Sequence, residues 1–232
     1  MIGQGQRQDT QLYMDTFNFF HSTNIAVHVT AGTIALLLGV VALGSPKGKK
    51  THIKAGRLFL LSLLIVISSG LVGVFVFGRN TFLLVITLLS AYQGFSGYRI
   101  LQTKSNKPES VDILMALVTL LSAFYFLYYF KKIGMIWSPV ITYSTVGWLI
   151  AIIVYDFLRY LIPASTYKRT WLYEHIVKMI AAFSAITSAF TGTVFPDYQP
   201  YSQFLPSVFG TLLMIGFIFY YKRQPLQQAS VL

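Results

Sequence analysis

Four histidines, His21, His28, His52 and His175, stand in a chain of 232 residues that is 55% hydrophobic and 11% charged. Imidazole carries protons near neutral pH and is a common metal ligand. Two imidazoles from different helices can hold a haem iron, and a His/Met pair can do the same. Met179 follows His175 by one helical turn and shares its face. The candidate ligand set is therefore His52, His175 and Met179, with His28 as a further member. Its cofactor would be haem b or a quinone. The sequence names no other metal.

His28 lies on a helix face with Gly32, Ala35 and Gly39. Those small residues let a second helix or a flat group come close. Gln93 sits near the middle of another apolar run and needs a polar partner there. His28 is one option, through Gln93 or Ser90. Together His28 and Gln93 could also line a solute path. His21, seven residues before His28, falls at headgroup level.

Acidic residues in apolar runs are few. Asp156 precedes Arg159 by three residues, and Glu174 precedes Lys178 by four, both helix spacings for ion pairs. The plain expectation is local pairing at headgroup level. The other is one polar cluster of Arg57, Glu174, Asp156 and Arg159, with His175 beside it, able to handle a proton or a ligand.

Standard catalytic signatures are missing. There is no G-x-S-x-G elbow, no H-E-x-x-H and no phosphate loop. The absence of cysteine removes thiolate metal sites, iron–sulfur clusters and a thiol nucleophile. No catalytic residue is assigned.

The elements that must position these groups are long apolar segments, at about 23–44, 57–78, 81–102, 111–130, 138–161, 173–195 and 204–221. Each is long enough to cross a bilayer as a helix. None alternates as a barrel strand would. The expected fold is an all-α polytopic transmembrane bundle of about seven helices. Residues 1–22 form a polar, interfacial N-terminal segment, 23–221 a single transmembrane domain and 222–232 a cytoplasmic tail. Cleavage of the N-terminus as a signal peptide is not expected.

With the N-terminus outside and the C-terminus inside, fourteen of the eighteen Lys and Arg fall on the inner side. Arg7, Arg79, Lys131 and Lys132 fall outside. This distribution accounts for the net charge of +11 by topology and by attraction to anionic membrane lipids. Nucleic acid is not an expected partner, because no basic stripe or binding module is present. A membrane-protein partner or a second copy of the chain remains open.

The motif order resembles that of a family of uncharacterised bacterial inner-membrane proteins over about residues 25–195. The matching residues are His28, Gly32 and Gly39 in the first span, then His52-Ile-Lys-Ala-Gly56-Arg57-Leu-Phe59, then Gly97-Tyr98-Arg99. A later helix carries Trp171, Glu174-His175-I-V-K-Met179 and Thr187-Ser188-Ala189-Phe190. This chain departs from the pattern at Ile53, where the family has a basic residue, and by the inserted Ser188. The resemblance implies a helical bundle in a bacterial inner membrane and no particular reaction.

Three functions compete on these grounds. The first is an accessory or structural membrane protein with a conditional histidine site. The second is a haem- or quinone-binding redox protein. The third is a small-solute carrier or channel, disfavoured by the lack of an internal repeat.

Overall fold

The computed structural model describes residues 4–78, 82–134 and 139–223. They form seven long helices: α1 Gln4–Gly44, α2 Lys50–Phe75, α3 Phe82–Thr103, α4 Ser110–Ile133, α5 Pro139–Leu158, α6 Ala164–Val194 and α7 Tyr201–Lys222. Single 3-10 turns lie at Arg159–Leu161 and Pro196–Tyr198. No strand occurs among the described residues. The protein is an all-α bundle, as its unbroken apolar runs require. Arg79 and the tail from residue 224 onward, both assigned a side of the membrane above, lie outside the described residues.

Six of the helices, all except α3, are long and apolar enough to cross a membrane. The expected set of seven apolar spans thus meets that standard in six. The exception has a physical reason. From Leu84 to Thr103 only Tyr98 and Gln102 are exposed. Helix α3 packs against α2, α4, α5 and α6. A helix shielded from lipid on nearly every side can carry Ser90, Gln93, Ser96 and Arg99 without lipid-facing apolar residues to balance them. Helix α1 lies at the opposite extreme, with large apolar side chains such as Leu37 and Val40 exposed.

Two helices start earlier than the hydrophobic pattern suggests. The N-terminal stretch expected to lie along the interface is continuous with the first span. Helix α1 runs for 41 residues, about 60 Å at 1.5 Å per residue. Its Phe17 and His21 rings rest on Phe77, with centroids 5.2 and 4.8 Å away. Helix α2 begins at Lys50, directly after the turn 45–49. His52, Lys54 and Arg57 therefore lie in its first turns.

Successive helices alternate in direction, so one end of the bundle gathers the C-terminal ends of α1, α3, α5 and α7 and the N-terminal ends of α2, α4 and α6. Cross-links at that end fix the arrangement. Lys47 lies over the Phe217 ring at 4.7 Å, and Lys104 over Trp171 at 4.4 Å. The Asn106 amide donates to the Ile162 carbonyl at 2.7 Å. Arg99 of α3 grips Asp112 at 2.8 Å and Glu109 at 2.5 Å at the start of α4. This is the cation-rich end inferred from the loops. Lys131 and Lys132 are exposed in the last turn of α4, at the other end, where a helix C-terminus favours positive charge.

Small residues set the close approaches. A Cβ added to Gly39 of α1 would strike the Phe183 ring of α6, and one on Gly210 of α7 would strike Ser184. Ser188 meets Ser207 through their hydroxyls at 3.2 Å. The Ser184–Ser188–Gly192 row of α6 is thus the seat of α7, the role small residues take where lipid supplies no hydrophobic drive between helices.

Candidate functional site

Helix α6 carries two polar arrangements on adjacent faces, one closed and one open. The closed one is a buried charge cluster. Lys178 Nζ donates to Asp156 Oδ1 at 2.5 Å and to Ser96 Oγ at 2.7 Å. Tyr92 and Ser96 of α3 donate to Asp156 Oδ2 at 2.8 and 2.9 Å. Tyr155 and Tyr167 donate to the two oxygens of Glu174 at 2.6 and 3.0 Å. The Arg159 guanidinium stands 3.5 Å from Glu174 and 3.8 Å from Asp156. Two carboxylates and two cations sum to zero, and every carboxylate oxygen is occupied.

Both pairs expected from spacing form, Arg159 with Asp156 and Lys178 with Glu174, each at 3.8 Å, but they are not the closest contacts. Asp156, Arg159 and Glu174 do gather, but the shortest contact joins Lys178 to Asp156, across from α6 to α5. Glu174 is the more distant partner of Lys178, at 3.8 Å. All four side chains are buried within the bundle. Arg57 is not a member; it lies on the far side of α6, exposed on α2. The residues that spacing missed are Tyr92, Ser96, Tyr155 and Tyr167, together with the contact of Lys178 to Asp156. A usable signal existed: Tyr92, Ser96 and Arg99 recur at intervals of four and three, a polar stripe on one face of α3.

The open arrangement is a cavity of about 480 Å³ at the cation-rich end, between α1, α2, α3, α6 and α7. His52 and His175 both line it, as do Met179 and Arg57. Aromatic rings of Phe59, Tyr98, Trp171, Phe183 and Phe217 form much of the wall. The α6 residues Leu172, His175, Ile176, Met179, Ile180 and Phe183 recur at helical intervals, so one face of α6 supplies a whole side of the cavity.

Both histidines are fixed in the same way. His52 Nδ1 lies 2.9 Å from the Ala42 carbonyl, and His175 Nδ1 lies 2.9 Å from the Gly97 carbonyl. A carbonyl oxygen only accepts, so each Nδ1 carries the proton. Each Nε2 is then left with a lone pair and no partner among the described residues. A backbone carbonyl on one imidazole nitrogen is also the arrangement that orients a metal-binding histidine. Gly97 makes this possible. A Cβ there would come within 3.1 Å of Lys178 Cβ and Met179 Sδ, so only glycine lets α3 approach α6 closely enough without displacement.

The other candidates lie elsewhere. His28 does not meet Gln93 or Ser90. Its Nδ1 is 2.9 Å from Ser69 Oγ of α2, whose own proton goes to the Ile65 carbonyl at 2.7 Å. Asn24 donates to the Ser69 carbonyl at 3.1 Å and completes a local α1–α2 clasp. Gln93 is fully buried, and neither amide atom has a hydrogen-bond partner among the described residues. Neither His28 nor Gln93 lines the cavity. No group of three or more His, Asp or Glu side chains suited to a metal ion occurs among the described residues.

Lys47 turns out to have a structural role. Its ammonium donates to the carbonyls of Leu43, Ala42 and Ser45 at 2.6, 3.0 and 3.3 Å, closing the end of α1 in the manner of a basic C-terminal cap. Burial pushes its pKa below the usual lysine value.

No protein-family model, curated protein or solved structure matches the chain. The geometry above therefore carries the functional reading by itself, together with the class that the helices define: a multi-pass membrane protein.

Proposed function

We propose that this membrane protein holds a haem b in the cavity at its cation-rich end, with His52 and His175 as the iron-binding residues. One observation carries the reading. Two imidazoles from different helices line one cavity, both locked as the Nδ1–H tautomer, both presenting a free Nε2. The donor chemistry fits haem iron. The aromatic and aliphatic walls fit a porphyrin face, and the volume falls in the range of ordinary cofactor pockets. When bound, haem would supply reversible one-electron transfer. The chain's own residues orient the imidazoles, exclude water with Phe59, Trp171, Phe183 and Phe217, and place Met179 along the same wall.

The accessory reading is what remains if no ligand binds. The carrier reading loses support, because its two lining residues, His28 and Gln93, have different surroundings. A quinone would share the cavity but would leave one imidazole without a purpose.

The test is a visible spectrum, oxidised and reduced, of the purified chain. A stoichiometric haem band that shifts or disappears in His52→Leu and His175→Leu is expected. A colourless protein after expression with ample haem would end the reading.

The same proposal places the cation-rich end in the cytoplasm of a bacterium, with the chain in the inner membrane, the N-terminus outside and the C-terminus inside. Its support is the clustering of loop cations at one end and the resemblance of the His28–Gly39 and His52–Phe59 motifs to bacterial inner-membrane proteins. A reporter fused after Leu232 should be active only inside the cell.

A further inference from the structure

The cavity has an electrostatic asymmetry that its histidines do not explain. Three cations line it, Lys47, Arg57 and Lys104, and no acidic residue does. Three other cations at this end are matched by acids: Arg99 takes Asp112 and Glu109, while Arg159 and Lys178 take Asp156 and Glu174. The exposed Lys49, Lys50, Lys54, Lys107 and Lys168 have no ion pair among the described residues either, but none of them lines the cavity. Lys47 spends its three protons on the end of α1 and contributes charge alone. Arg57 and Lys104 are different. Both are exposed, and neither has an ion pair among the described residues. Lys104 is placed only by its stacking on Trp171.

These two cations stand where the cavity reaches the surface. Its exposed lining residues are Ile53 and Arg57 at the start of α2, and Tyr98, Gln102 and Lys104 at the end of α3. An opening between those two helix ends therefore leads from a positive rim to an apolar interior. Unpaired cations beside an apolar space gain most from a partner whose anion remains at the rim while its body leaves water.

We propose that the cavity binds an amphiphile carrying an acidic group, with the apolar body among the rings of α2, α6 and α7 and the carboxylate or phosphate on Arg57 and Lys104. This rests on the reading of the cavity as a ligand site, but not on haem. The acid could be a haem propionate or the head of a fatty acid or acidic lipid. Charge recognition at the rim is a separate function from the imidazoles deeper in the cavity.

The full chain in nanodiscs of neutral phosphatidylcholine is titrated with two matched pairs: cis-parinaric acid against its methyl ester, and haemin against haemin dimethyl ester. Esterification removes the negative charge and leaves the body almost unchanged. The free acid of at least one pair should bind roughly tenfold or more tightly, a difference of about 1.4 kcal/mol. Arg57→Gln with Lys104→Gln should abolish that preference, while His52→Leu should preserve it for the fatty acid.

Preference within the haemin pair alone names haem as the source. Preference within the fatty-acid pair alone sustains the inference with a fatty acid or acidic lipid as the source, and the haem reading is then decided by the visible spectrum. Equal binding of acid and ester in both pairs, no binding by any probe, or a preference unchanged in the double variant overturns it. Equal binding in both pairs with an intact haem spectrum overturns the rim alone and leaves the histidine site standing.

Discussion

On one face of α6, Glu174 and Lys178 find partners for every charge and nearly every proton. One residue away, His175 has one nitrogen held by a carbonyl and the other left open to a cavity. Both faces are polar patches inside an apolar bundle, yet only one has its charges matched. A buried, charge-neutral cluster whose carboxylate oxygens are all occupied gives a bundle a specific helix arrangement more readily than it gives it stability, although the Arg159 Nε has no hydrogen-bond partner among the described residues. An oriented imidazole with a free lone pair is chemically unfinished. The contrast separates the groups that hold α3, α5 and α6 together from those available to a ligand.

The largest effect should come from opening the closed face. Lys178→Met leaves Asp156 buried without its main cation and should destabilise the protein by about 3–5 kcal/mol, read as a lower unfolding midpoint in detergent. Adding Asp156→Asn should restore much of the loss, because the uncompensated charge is gone. If Lys178→Met unfolds at the wild-type midpoint, the cluster is not the clasp described.

A second, smaller effect should have the opposite sign. Gln93 is buried with both amide atoms unpartnered, a state that costs about 1–3 kcal/mol. Gln93→Leu should therefore raise the midpoint or leave it unchanged. A clear fall would mean that the amide is satisfied in the membrane, and α3 would then hold a second functional group.

The smallest change in stability belongs to the open face. His52→Leu and His175→Leu each remove one hydrogen bond to a carbonyl, worth about 0.5–1.5 kcal/mol. Binding of the cavity's ligand should suffer far more than folding does. A loss comparable to that of Lys178→Met would place the histidines among the structural groups and erase the contrast between the two faces.

How much of this could be read beforehand follows from what is local. Six apolar runs, the helical state and the gathering of loop cations depend on stretches of neighbouring residues, and all were legible. So was the sharing of one α6 face by His175 and Met179, which needs only the helical repeat. Asp156, Arg159 and Glu174 could be grouped as ionisable residues near one membrane level. The lateral arrangement was not legible. Lys178 at i+4 from Glu174 satisfies the ion-pair rule equally well whether or not Asp156 stands closer, and only the packing of α5 on α6 decides. For the same reason His28 found Ser69 instead of Gln93.

The amino-acid sequence by itself determined the helices, their alternation and the end that carries the charge, because hydropathy, helical period and loop composition act along the chain. Tertiary structure alone decided that α3 is shielded and can afford its polar residues, that His52 and His175 look into one cavity, and that Arg57 faces that cavity while Glu174 faces away. Apolar helices meet lipid and one another on nearly equal terms. Which faces touch is therefore set by small residues such as Gly39, Gly97 and Gly210, and by polar groups that must find partners across the bundle.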